Sequence, residues 1–173
     1  MTPLSLRIRG FIFTVLVPGS VAVLIPQDLR SGAVPTGAWR LGWLLFAIGA
    51  ALYLRCLADF VAAGGTPAIY FSRAARWLWG AEPQQVVHNG LYRYSRNPMY
   101  LGVLCAIAGQ VVAYRSKAIA IYLLCAAVWF HLVVVFLEEP YLARKRGAAY
   151  DEYRSRVPRW LRVHLARSER SGN

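Results

Sequence analysis

The sequence predicts an all-α fold: a polytopic membrane helical bundle of about four transmembrane helices, with an interfacial segment and C-terminal cytoplasmic helices. Three observations predict it. Hydrophobic residues make up 57% of the 173-residue chain and charged residues 16%, against about 45–50% and 25% in ordinary soluble chains. Four uncharged apolar stretches recur along it, at 10–27, 41–54, 98–114 and 118–137. Twenty Lys and Arg stand against eight Asp and Glu, a net charge of +12, and they cluster in particular connections. High charge with high hydrophobicity is the signature of a membrane protein with a basic face. It excludes a soluble globule and a disordered nucleic-acid-binding arm. Three cysteines cannot pair completely, which excludes a disulfide-stapled secreted domain.

The first stretch, 10–27, has 18 residues without a charge. Its positive flank (Arg7, Arg9) resembles a signal peptide, but no small-residue cleavage site follows. Pro26-Gln27-Asp28 reads instead as the exit of a retained helix. The second stretch, 41–54, reaches spanning length only if its helix carries Arg55 and Asp59 near one end. Those two are four apart and can pair on one face. The third and fourth stretches, with 17 and 20 residues, are long enough as they stand.

Four spans put both termini and the 61–97 connection on one side of the membrane. That side holds fifteen of the twenty cations; the other holds Arg30, Arg40, Arg115 and Lys117. Positive residues favour the cytoplasm, so both termini are expected there, in a plasma (inner) membrane. The basic surface then meets anionic lipid headgroups, and nucleic acid is not needed to explain it.

The polar chemistry collects on the same side. The 61–97 connection is too long to be a simple turn. Its 69–80 stretch, IYFSRAARWLWG, reads as an amphipathic interfacial anchor. The connection ends in GLYRYSRNPMYLG at 90–102. Here Asn97 reads as an N-cap and Pro98 as the first residue of the third span. The N–H groups exposed at such a helix end attract anions. The fourth span ends in Glu138-Glu139-Pro140. Two acids at the end of an apolar helix are a functional hypothesis by default. Neighbours on a helix point about 100° apart, so one can face a pocket while the other pairs with a loop arginine. Pro140 is expected to kink or end the helix. Beyond it, Tyr150 and Tyr153 share a helix face among arginines. Cys56, Cys105 and Cys125 match no zinc-ligand spacing and read as small apolar side chains. His131 reads as an interhelical hydrogen-bond partner.

GLYRYSRNPMYLG followed by EEPYL and then RGAAYDEYRSRVPRW at 146–160 resembles the membrane methyltransferases related to isoprenylcysteine carboxyl methyltransferase and the phospholipid methyltransferases. The shared part runs over about 64–160, with GGTP at 64–67. The resemblance implies one membrane domain: an N-terminal helical pair over 1–61 and a cofactor-binding catalytic part over 62–173. It implies S-adenosylmethionine as cofactor and no Rossmann domain. It implies that Tyr92, Arg96, Asn97, Pro98, Tyr100, Gly102, Glu138, Tyr150 and Tyr153 form the cofactor pocket. Glu138 and Glu139 would serve catalysis, and Arg159 would orient the acceptor. Asn97 stands where many relatives carry His, and an amide cannot carry a proton near neutral pH. The implied acceptor is membrane-embedded or amphipathic: a lipid amine, a prenylcysteine-like carboxylate or a thiol. A membrane enone or sterol reductase that binds reduced nicotinamide shares an Arg-His-Pro-x-Tyr segment but generally lacks the Glu-Glu-Pro pair. A non-enzymatic scaffold would explain the hydrophobicity but not the acids together with Arg-Asn-Pro-x-Tyr.

Overall fold

The computed structural model describes residues 3–30, 32–65 and 87–161, and every regular element among them is helical. The expected anchor at 69–80 lies outside the described residues.

Three helical runs are long and apolar enough to cross a membrane: Ile8–Leu29, Trp39–Ala62 and Lys117–Arg146. The third expected span is the shorter helix Pro98–Tyr114, of 17 residues. At 1.5 Å per residue it is about 26 Å long, close to the thickness of a hydrocarbon core. The N-terminal run divides into α1 (Pro3–Leu16) and α2 (Ile25–Leu29), with a π-helical turn at Ser20–Leu24 between them. Helix α3 is Trp39–Ala62 and carries Arg55 and Asp59 within its length. The two pair at 3.3 Å, so the charge that complicates this span is neutralised on the helix itself. Helix α4 is Pro98–Tyr114 and α5 is Lys117–Val133. A second π-turn, Val134–Glu138, leads into α6 (Glu139–Arg146), and α7 is Ala148–Arg156.

Helices α3 and α4 form the closest-packed pair, and glycine allows it. A Cβ placed on Gly42 would meet the backbone of Gly109 and Ala113, and one on Gly49 would meet Gly102 and Ala106. The contacts therefore run antiparallel, with a glycine every seven residues on both helices. Lipid tails are as apolar as leucine, so close backbone approach and dispersion must hold such helices together. Helix α4 is the most enclosed helix: Val103, Ala106, Ile107, Gln110 and Ala113 are all buried. Around it pack Tyr53 of α3 and Ile119 and Ala126 of α5. Leu124, Val128, Trp129 and Phe136 of the last span are exposed, as lipid-facing residues should be.

Backbone polar groups inside a bilayer need internal partners. At the first π-turn Gln110 Nε2 donates to the Ala22 carbonyl at 2.6 Å, and the Tyr122 hydroxyl donates to the Val21 carbonyl at 3.0 Å. Two side chains from α4 and α5 thus fasten the N-terminal run to the bundle.

Pro140, expected to kink or end the last helix, does not end it: the regular α ladder is interrupted just before it by the π-turn, and the helix goes on to Arg146. Pro140 then falls in the first turn of α6, where its missing N–H costs least.

Arg115 closes the α4–α5 turn in the left-handed region at φ 48°. Ser116 caps α5 by accepting from the Ile119 N–H. Since α4 runs antiparallel to α3 and α5 returns from this short turn, three ends share one side of the bundle. They are the C-terminus of α3, the N-terminus of α4 and the acids after α5.

Candidate active site

The approach to α4 is a 3-10 turn over Gly90–Arg93. Gly90 sits at φ 60°, the left-handed region that favours glycine, and a Cβ there would push on the Asp59 carboxylate. The turn buries Tyr92, whose ring meets Phe60 edge-on at 5.5 Å. The next residues bind the segment after α7. The Arg96 N–H donates to the Pro158 carbonyl at 2.9 Å. The Ser95 hydroxyl and the Asn97 amide donate to the Arg159 carbonyl at 3.3 Å and 2.9 Å. The Tyr153 hydroxyl donates to the Tyr92 carbonyl at 2.8 Å. Residues more than sixty apart in sequence thereby form one wall.

Asn97 occupies the N-cap position, but its side chain makes no capping bond. Its own N–H is taken by the Ser95 hydroxyl at 3.1 Å, and its amide turns to Arg159.

The adjacent acids divide their partners. Glu139 accepts a two-pronged pair from Arg159, Nε at 2.7 Å and Nη2 at 2.9 Å. It also accepts from Arg96 Nη1 at 3.1 Å. Glu138 accepts instead from the Tyr100 hydroxyl of α4. Tyr100 in turn packs on Phe130 with ring centroids 4.7 Å apart. One acid is thus claimed by arginines and the other faces α4.

Arg96 is the inner cation, with a side chain only 12% exposed against 34% for Arg159. Its Nη1 also reaches the Tyr150 hydroxyl at 3.5 Å. Its Nε is buried, with no hydrogen-bond partner among the described residues. A buried donor without a partner costs about 1–3 kcal/mol, more when charged. An anionic group seated against Arg96 would recover that cost. Tyr150 and Tyr153 share one face of α7, with ring centroids 6.2 Å apart. Burial pushes the phenols of Tyr92, Tyr150 and Tyr153 up, so all three stay neutral; Tyr153 donates its proton to the Tyr92 carbonyl, while Tyr150 accepts from Arg96.

Of the residues expected at the site, Tyr92, Arg96, Asn97, Tyr100, Glu138, Glu139, Tyr150, Tyr153 and Arg159 converge. Pro98 is buried beneath them at the start of α4. Gly102 lies one turn further on, at the crossing with Gly49 and Tyr53, where it serves helix packing. Sequence reasoning did not single out Ser95, buried to 1% and bonded on both sides. Nor did it pair His131 with Trp160, whose Nε1 donates to His131 Nδ1 at 3.1 Å. Among the described residues no group of three or more His, Cys, Asp and Glu is placed to hold a metal ion.

A family model described as phospholipid methyltransferase matches residues 39–149, from the start of α3 into α7. No curated protein and no solved structure matches the chain. The matched stretch spans well over half of the 173 residues and holds the glycine-paired helices, the Arg-Asn-Pro-x-Tyr approach and both acids. The chain belongs to the phospholipid methyltransferase family and is a membrane methyltransferase.

Proposed function

We propose that the chain uses S-adenosylmethionine to methylate an amphipathic or membrane-embedded acceptor at the cytoplasmic face. The acceptor would be a lipid amine, a prenylcysteine-like carboxylate or a thiol, and the subtype resembles isoprenylcysteine carboxyl methyltransferase. Family membership supports the donor, since these methyltransferases generally use it. The observation that carries the reading is the meeting of Arg96, Glu138, Glu139 and Tyr100 at the ends of two membrane helices.

The residues present fit the cofactor's amino-acid part. Its carboxylate suits the buried Arg96 Nε that lacks a partner. Its ammonium suits the carboxylates after α5, and the tyrosines of α7 offer neutral hydroxyls. When bound, the cofactor supplies a methyl group on a sulfonium. The chain's residues then have to orient and exclude water, and alignment alone is worth about 7–11 kcal/mol. Glu139, held by two arginines, is fixed in place; Glu138, held by one tyrosine, is the freer base. An amine acceptor would lose its proton to Glu138, whereas a carboxylate acceptor needs no base. Arg159 keeps an outward face for an anionic headgroup, and anionic lipids would hold the basic end at the surface.

Calorimetric titration of the detergent-purified protein with S-adenosylhomocysteine tests the reading, with reduced nicotinamide cofactor as control. Saturable binding of S-adenosylhomocysteine alone is expected. Binding of nicotinamide alone, or of neither, overturns it.

A further inference from the structure

Two neighbouring residues, Arg159 and Trp160, grip the same helical run at points eight residues apart. Arg159 holds Glu139 at 2.7 Å and 2.9 Å. Trp160 donates its indole N–H to His131 Nδ1 at 3.1 Å, and the two rings stack with centroids 6.2 Å apart. Eight residues of helix measure about 12 Å. The segment after α7 therefore lies along the last span, with one side chain reaching forward to the acid and the next reaching back toward the apolar part. His131 stands inside a stretch otherwise free of charge from 118 to 137. A polar group at that depth needs a partner, and among the described residues Trp160 supplies one. Nδ1 accepts only when the ring proton is on Nε2, so the contact also fixes the tautomer.

The backbone of this segment is bound on its other side. The Pro158 carbonyl accepts from the Arg96 N–H, and the Arg159 carbonyl accepts from Ser95 and Asn97. We infer that the Trp160–His131 contact is a latch, and that His131 is a positioning residue for the arginine pair on Glu139. With the latch closed, the segment is pinned from both sides and Arg159 has one place to be. Glu139 is then held, and Arg96 Nη1 keeps its carboxylate at 3.1 Å. With the latch open, Trp160 swings free and Arg159 samples other rotamers. The order of the Arg96–Glu139 pair must then be paid for when a ligand binds. The effect on cofactor affinity rests on the reading that Arg96 and Glu139 hold the cofactor; the latch itself does not.

Three variants separate these statements: His131→Leu, His131→Asn and Trp160→Phe. Asparagine places an acceptor oxygen where Nδ1 stands. Phenylalanine keeps an aromatic ring and loses the donor. Two quantities are measured in detergent: hydrogen exchange at the Arg96 amide and affinity for S-adenosylhomocysteine. His131→Leu and Trp160→Phe are each expected to speed Arg96 exchange and weaken binding about three- to tenfold, the range of one lost neutral hydrogen bond. His131→Asn is expected to return both toward wild type. If His131→Leu does not fold, Trp160→Phe probes the same bond from the other partner. Wild-type exchange in both losing variants overturns the latch. Faster exchange with unchanged affinity overturns the positioning role, as does failure of His131→Asn alongside His131→Leu. Should the wild-type protein bind no S-adenosylhomocysteine, the cofactor reading fails and the exchange measurement still decides the latch.

Discussion

Arg96 is a buried cation with an unfinished set of partners, and that makes it the most informative single residue. Glu139 and Tyr150 take one end of its guanidinium, while Nε faces no acceptor among the described residues. Arg96→Ala is expected to weaken S-adenosylhomocysteine binding about ten- to hundredfold, as for a hydrogen bond to a charged group. An unchanged dissociation constant would reduce Arg96 to an anchor. The acids call for a paired test. Glu138→Gln combined with Glu139→Gln is expected to abolish turnover while the helical circular dichroism is kept. Full activity would remove both acids from the mechanism. Separately, Glu139→Gln is expected to lower the melting temperature more than Glu138→Gln, because it leaves two arginines facing a neutral amide. Glutamine at 138 still accepts from Tyr100. These residues were legible in the sequence because ionisable groups beside apolar helices are conspicuous. Ser95 and the partners of Asn97 and His131 were not legible. Their bonds run to Arg159 and Trp160, in a segment with no periodicity to place it.

At the scale of elements, the apolar runs announced four helices and the Asn97-Pro98 start of α4, and the structure has them there. What the runs could not announce is which helices touch. Hydrophobic periodicity loses its meaning where all faces are apolar, because lipid and protein neighbours look alike. The partner information sat in the glycines instead, at 42 and 49 on α3 and at 102 and 109 on α4. Gly49→Ala puts a methyl against the backbone N of Ala106 and the carbonyl of Gly102, each 2.5 Å away. Gly102→Ala presses on the Tyr53 backbone at 2.9 Å. Neither neighbour is a flexible side-chain end, so the helices must part. Each substitution is expected to cost at least the 1–3 kcal/mol or so of ordinary overpacking. Thermal unfolding in detergent reads this directly, with Gly37→Ala, which meets nothing within 4 Å, as the control. Equal melting temperatures for Gly49→Ala and Gly37→Ala would sink the account of the crossing. Which of the two outcomes expected at Pro140, a kink or an end, is realised was hidden for a similar reason. Proline forbids a hydrogen bond, but whether the helix stops depends on the turn before it, and a π-turn leaves no signature in a run of valine, phenylalanine and leucine.

Over the whole molecule, the fold gathers the charge that the sequence scatters. The turn at Gly90–Arg93, α6 and α7 bring Arg93, Arg144, Lys145 and Arg154 to the end that holds the acids, and Arg96 and Arg159 pair with Glu139 there. The far end keeps Arg30, which lies over the Tyr114 ring, and Arg40, Arg115 and Lys117. Because the candidate site and the charge excess share an end, one test of orientation also tests access to the site. In the proposed orientation the basic end would meet the anionic inner leaflet, at about 1 kcal/mol per nearby cation, and the site would open to soluble cofactor. Reversal would carry that whole cluster across the bilayer. In a chain with Cys56, Cys105 and Cys125 replaced by alanine, Arg154→Cys on exposed α7 and Lys117→Cys at the opposite turn are the markers. A membrane-impermeant maleimide added to intact cells is expected to label Lys117→Cys alone, and added to inverted vesicles to label Arg154→Cys alone. The reverse pattern would put the acids and arginines outside and end the case for a cytoplasmic cofactor. Labelling of both markers from one face would mean an odd number of crossings between residues 117 and 154 does not occur, and would break the reading of α5 as a span.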